Sequence, residues 1–187
     1  AADDIPGWMS KMELAWLIEQ SSTRRDIIEI GSWKGRSTKA LALSAQGTVY
    51  SIDHWMDEPP KTERRKEDSD WLEISWRGSE TIKSEFYRNL ANEIASGKCV
   101  PLGIQSEFAV DKMVKILGTR KVDMIFIDAD HEYDKVKQDI ELYRPMLIDG
   151  GLMCGHDYPW PGVCKAVAEL IPNHRYLHET GIWYARV

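Results

Sequence analysis

Glu29-Ile30-Gly31-Ser32-Trp33-Lys34-Gly35-Arg36-Ser37 lies between two segments of different periodicity. Before it, Asp26-Ile27-Ile28-Glu29-Ile30 reads as a short buried strand; after it, residues 37–45 read as a small-residue helix. A strand, a glycine turn and a helix in that order begin a βαβ unit. In open parallel sheets ligands bind beyond the carboxyl ends of the strands, where the winding reverses, and the first such turn often supplies the site. A dinucleotide fingerprint requires G-x-G-x-x-G. Trp33 stands where the second glycine would be, which disfavours a pyrophosphate cradle and leaves a nicotinamide oxidoreductase a distant alternative. The spacing E-x-G-x-x-x-G instead suits a nucleoside without phosphates.

Outward from this turn the chain alternates strand and helix. Residues 48–52 form a second strand ending at Asp53, 18 residues after Gly35, where a carboxylate is placed to accept from both hydroxyls of a ribose. Residues 98–102, 122–127 and 151–154 read as further strands, and residues from about 132 to 143 as a helix with Val136 and Ile140 inward, stopping ahead of Pro145. Upstream, Ser10 caps a helix with an apolar stripe of Met12, Leu14, Trp16, Leu17 and Ile18, and Glu13 completes a capping box. Downstream, residues 174–179 and 182–187 flank Thr180-Gly181 as a hairpin at the sheet edge. The expected fold is α/β: a Rossmann-like three-layer sandwich whose mainly parallel sheet is closed by a C-terminal β-hairpin.

One segment breaks this rhythm. The 44 residues between Asp53 and the third strand exceed what one crossover helix needs. Residues 57–70 contain ten charged residues and two prolines, a solvated loop, and Arg64-Arg65-Lys66 sits there among six acids. Residues 80–95 are again helical, with Ile82, Phe86, Leu90 and Ile94 on one face. The expectation is a single domain over 1–187 with a lid-like insertion at about 56–85.

Composition narrows the function classes. At 187 residues and 43% hydrophobic the chain can bury one ordinary core, while a net charge of −6 argues against a dedicated nucleic-acid binder. No run approaches the ~20 apolar residues of a membrane span. Cys99, Cys154 and Cys164 are too few and scattered for a disulfide framework, so cytoplasmic location and reduced thiols are expected. Tryptophan is the odd count, eight against three Phe. Trp8, Trp16 and Trp183 fall in elements expected to be structural. Trp33, Trp55, Trp71, Trp76 and Trp160 all fall on the carboxyl side of the strands, which predicts an aromatic-rimmed cleft able to stack on a ring or sugar face.

A second constellation is Phe126-Ile127-Asp128-Ala129-Asp130-His131 with Gly155-His156-Asp157-Tyr158. These runs end the fourth and fifth strands, and neighbouring parallel strands lie ~4.8 Å apart, so Asp128 and Asp157 face one small space. Carboxylates that close repel unless a proton or cation lies between them. A divalent metal is therefore expected, with His156 as third ligand. Oxygen ligands favour Mg²⁺ or Mn²⁺, whereas a histidine ligand tilts the set towards Mn²⁺, Fe²⁺ or Zn²⁺. His131, three residues beyond Asp128, is placed to reach the same space as a general base. His54 and Trp55, next to Asp53, are candidates for cofactor contact, and Tyr158-Pro159-Trp160-Pro161 for a rigid acceptor wall.

Together these residues resemble the class I S-adenosylmethionine-dependent methyltransferases, over most of the chain. Glu29-x-Gly31-x-x-x-Gly35 resembles that family's first motif, Asp53 its ribose-binding acid, Ile104-Gln105-Ser106 its adenine-side turn and Asp128 its fourth motif. In detail the pattern is similar to a small bacterial branch related to metal-dependent sugar and macrolide O-methyltransferases. The resemblance implies S-adenosyl-L-methionine held by Glu29, Gly31, Ser32, Gly35, Ser37, Asp53, His54, Gln105, Ser106 and Asp128. It further implies a Mg²⁺ or Mn²⁺ ion on Asp128, His156 and Asp157, and His131 with Asp128 in catalysis. His156 stands where those relatives usually carry an acidic ligand, and Gln105 replaces a common acid. The implied reaction is O-methylation of a small-molecule or glycan hydroxyl, with homo-oligomerisation compatible and no nucleic-acid or membrane partner. Metal-independent or nitrogen-directed transfer, and cofactor binding without turnover, are the alternatives.

Overall fold

The computed structural model describes residues 1–55 and 81–187. Their core is a seven-stranded sheet built from β1 (Ile27–Ile30), β2 (Val49–Asp53), β3 (Cys99–Gly103), β4 (Val122–Ile127), β5 (Leu147–Gly155), β6 (Arg175–Tyr176) and β7 (Trp183–Arg186), in the order β3-β2-β1-β4-β5-β7-β6. Strands β1 to β5 run parallel; β7 is antiparallel to both β5 and β6, so the C-terminal hairpin closes one edge. The winding reverses between β1 and β4. The expected α/β Rossmann-like sandwich is the fold observed.

Seven helices pack on the described sheet: α1 (Lys11–Ser21), α2 (Arg36–Ser44), α3 (Ile82–Asn89), α4 (Ala91–Ala95), α5 (Ser106–Leu117), α6 (Tyr133–Tyr143) and α7 (Pro161–Leu170). The period of two along each strand decides which face receives which helix. Ile28, Ile30, Ile125, Ile127 and Met153 point to one face and pack with Met113, Ile140 and Val167 of α5, α6 and α7. Ile27, Met124, Phe126, Leu152 and Cys154 point to the other, against Leu14 and Leu17 of α1 and Leu41 of α2. The alternation continues past the strand ends: Glu29 and Ser51 lie on the α1–α2 face, and Asp128 and His156 continue the rows of Phe126 and Cys154.

Some expectations shift. The stripe of α1 is narrower than its sequence implies, because Met12 and Ile18 stand exposed while Leu14 and Leu17 are buried. The helix expected over 80–95 breaks at Leu90 into α3 and α4, yet Ile82, Phe86, Leu90 and Ile94 share one cluster with Trp55 and Cys99. Of the lid-like insertion at about 56–85, residues 56–80 lie outside the described residues and 81–85 enter α3. Two ion pairs, Lys34 to Glu85 at 3.0 Å and Lys39 to Glu93 at 2.7 Å, tie the turn after β1 and α2 to α3 and α4. Among the described residues no helix is long and apolar enough to cross a membrane.

Candidate active site

The strand ladder extends one residue beyond β1, β4 and β5. Gly31 donates to the Ile52 carbonyl, Asp128 to that of Ile30 and His156 to that of Ile127, at 2.8–3.0 Å. This sets the glycine turn, Asp128 and His156 side by side at the switch point. Gly31 has φ +86°, and a Cβ there would lie 2.1 Å from the Asp128 carbonyl oxygen. Gly35, at φ +89°, caps α2 where a Cβ would meet Leu90 at 2.2 Å. Three non-glycine residues also take left-handed backbone at these strand ends: Trp33, Trp55 and Asp157. Backbone strain of this kind costs ~1–3 kcal/mol per residue and gathers at functional sites.

Beneath the turn, Glu29 is completely enclosed. Its carboxyl accepts from Ser37 at 2.6 Å, Ser32 at 2.9 Å and Ser51 at 3.2 Å, and from Thr38. Burial pushes it up to about 7 against those hydroxyls, which pull the other way. Glu29 has no exposed surface and Ser37 very little, so both lie beneath the turn they hold. Asp53 spans the mouth: one oxygen accepts from the Ser32 and Trp33 amides at 2.9 and 2.8 Å, the other from the Trp55 amide at 2.7 Å. His54 beside it is exposed. The Ile104 amide donates to the Asp53 carbonyl at 3.1 Å, so Gln105 and Ser106, which open α5, adjoin the end of β2.

Asp128, His156 and Asp157 each offer one ligand atom, all within 4.8 Å of one another. His156 Nδ1 is 3.2 Å from Asp157 Oδ1 and 3.6 Å from Asp128 Oδ1. Its Nε2 donates to Glu13 Oε1 at 2.9 Å. Burial alone would lower the His156 imidazole, but hydrogen bonds to Asp157 and Glu13 and the charge of Asp128 carry it up to about 10. Burial raises Asp128 to about 6, partly relieved by His156. Asp157 is held well below the usual carboxylate range because hydrogen bonds from His131 and His156 outweigh its burial. A cation held here would take the Nδ1 lone pair in place of a proton. The donor set fits one: three convergent ligand atoms, the imidazole fixed through its far nitrogen, and Asp157 aimed by a left-handed backbone.

Asp157 divides its two oxygens. Oδ2 accepts from His131 Nε2 at 2.7 Å, which raises the His131 imidazole, while Oδ1 faces His156. The His131 side chain remains 40% exposed, and Trp160 stacks on it with centroids 4.7 Å apart and planes 16° from parallel.

The tryptophans divide differently from the sequence expectation. Trp33 and half-exposed Trp160 do stand at the carboxyl side, but Trp55 is core: it is 5% exposed, packs on Phe86 at 4.6 Å and donates to the Trp33 carbonyl. Trp8, expected to be structural, precedes α1, is 61% exposed and lies 4.3 Å from the Trp33 ring. Trp71 and Trp76 lie outside the described residues. Trp183 is fully buried and Trp16 packs on Tyr184. Sequence reasoning assigned Glu13 only its capping bonds, which are present, with no hint of its contact to His156. Shallow grooves of about 520 and 400 Å³ open near the starts of β4 and β5, away from this cluster.

A parallel sheet of this order with a glycine turn and an acid ending β2 defines a Rossmann-like methyltransferase fold. A family model for the methyltransferase domain matches residues 28–158, and the chain belongs to that family, the class I S-adenosylmethionine-dependent methyltransferases. Solved structures of similar fold include CalS11, a calicheamicin methyltransferase (TM-score 0.65, 15% identity, 94% of this chain and 77% of that one). Others are a putative caffeoyl-CoA O-methyltransferase from Staphylococcus aureus (0.65, 17%, 97% and 85%) and an O-methyltransferase from Bacillus cereus in complex with SAH (0.64, 16%, 100% and 86%). A comparison with curated protein sequences returns no match.

Proposed function

We propose that the protein methylates a hydroxyl oxygen of a small molecule or glycan, with a divalent cation held by Asp128, His156 and Asp157. The observation that carries this reading is the shared Asp157 carboxylate, which joins an exposed His131 to the three-atom cluster. CalS11 is described as a TDP-rhamnose 3'-O-methyltransferase, which brings sugar hydroxyls into the acceptor class considered.

The cofactor reading rests on the turn. Gly31 lets backbone reach the Asp128 carbonyl, Glu29 locks Ser32 and Ser37 beneath it, and Asp53 stands at the end of β2 for the ribose. S-adenosylmethionine supplies an electrophilic methyl on a sulfonium, and a bound cation lowers the pKa of an acceptor hydroxyl. The remaining work falls to side chains. Asp157 orients His131, whose imidazole removes the acceptor proton; the acceptor oxygen forms its bond to the methyl carbon as the S–C bond breaks, leaving a neutral thioether. Trp160 braces the base and, with Trp8 and Trp33, offers apolar faces for alignment, itself worth several kcal/mol.

His131→Ala is expected to keep cofactor affinity in calorimetry while turnover falls about 10²- to 10⁴-fold. Unchanged turnover would refute the base assignment. One observation favours a second reading without a cation: charged His156 itself neutralises the carboxylates around it. Turnover undiminished by EDTA would select that reading.

A further inference from the structure

We infer that Glu13 is a positioning residue that makes His156 Nδ1 a metal ligand, so that the site selects a cation tolerant of nitrogen, Mn²⁺ over Mg²⁺. The inference rests on the cation reading above and deepens it. Glu13 is 5% exposed, lies on the first turn of α1 and has both oxygens committed. Oε1 accepts from the Gly181 amide at 2.7 Å as well as from His156, and Oε2 accepts from the Ser10 amide at 2.7 Å. A carboxylate held from two backbone amides has one remaining task, to fix the tautomer and tilt of the imidazole, and a ligating histidine characteristically donates its other ring N–H to such a group.

The same Nε2 edge of the ring lies close against Gly181. A Cβ on Gly181 would sit 2.7 Å from His156 Nε2 and 3.0 Å from Cδ2 and Cε1, so only glycine lets the ring lie where Glu13 draws it. With Nε2 held, Nδ1 is left facing Asp128 and Asp157 at 3.6 and 3.2 Å. One nitrogen and two carboxylate oxygens suit Mn²⁺ better than Mg²⁺, which prefers oxygen throughout.

The test is calorimetric titration of the full chain with MnCl₂ and with MgCl₂, paired with pulsed EPR of bound Mn²⁺. Expected are at least tenfold tighter Mn²⁺ binding and a directly coordinated nitrogen signal that disappears in His156→Asp, whose cation preference moves towards Mg²⁺. Glu13→Ala and Gly181→Ala should each weaken Mn²⁺ about 10- to 100-fold. Glu13→Gln, which keeps an acceptor for Nε2–H, should restore most of it. Because Glu13→Ala also removes a helix cap, Gly181→Ala carries the test should that variant fail to fold. Mn²⁺ bound without nitrogen coupling, or equally well in Gly181→Ala, would overturn the inference while leaving the cation reading intact. No binding of either cation at millimolar concentration would overturn both.

Discussion

At Gly31 the chain has room for a hydrogen and nothing more. The left-handed φ and the 2.1 Å approach of a Cβ to the Asp128 carbonyl oxygen act together, because relieving one means moving β1 away from β4. Gly31→Ala is expected to destabilise the fold by at least ~2 kcal/mol and to abolish cofactor binding, measurable by chemical denaturation and calorimetry. A variant of wild-type stability would show that the turn tolerates displacement. Gly31 was legible in the sequence because its spacing to Glu29 and Gly35 is local. The second role of Glu13 was not: 143 positions separate it from His156, and its capping box already explained why an acid stands there. Trp8 was misplaced for a similar reason, since its neighbour Trp33 belongs to another element.

Among the elements, the strands were legible to within a residue or so over β1 to β4 and the start of β5 was not, because Asp149, Gly150 and Gly151 interrupt the apolar run that signals a strand. Helices α5 and α7 are not among the elements expected from sequence, although Ala109, Met113 and Leu117 repeat every fourth residue in α5; α7 is short and begins within Pro159-Trp160-Pro161, residues that read as a rigid wall. Pro161 in fact opens α7, where its missing N–H is not needed. Helices α5 and α6 meet at a buried group, Asp139, one of whose oxygens has no hydrogen-bond partner among the described residues. Burial raises it to about 6 from 3.8, with hydrogen bonding from Ser106 pulling the other way. Folding thus favours its protonated form, so its contribution to stability is full below about pH 4 and is lost as pH rises through about 6. Denaturation curves for Asp139→Asn should lack that loss between these pH values. Parallel wild-type and variant profiles would show that Asp139 does not set it.

At the scale of the molecule, the class of fold followed from strands alternating with helices and a final hairpin, information spread evenly along the sequence and robust to errors of a residue or two at any boundary. The site is different in kind. Asp53, Asp128 and Asp157 could be placed because each ends a strand or follows one within two residues, but the bonds that occupy Asp53, the division of Asp157 between His131 and His156, and the enclosure of Glu29 emerge only when the strand ends are assembled. Cofactor choice rests on a turn suited to a nucleoside without phosphates. Its most direct test is calorimetric titration of the full chain with S-adenosylmethionine, beside a parallel titration with NAD. One equivalent of S-adenosylmethionine is expected to bind, weakened tenfold or more in Asp53→Ala, with no heat of binding for NAD. No binding of S-adenosylmethionine at millimolar concentration, or preference for the dinucleotide, would contradict that cofactor choice.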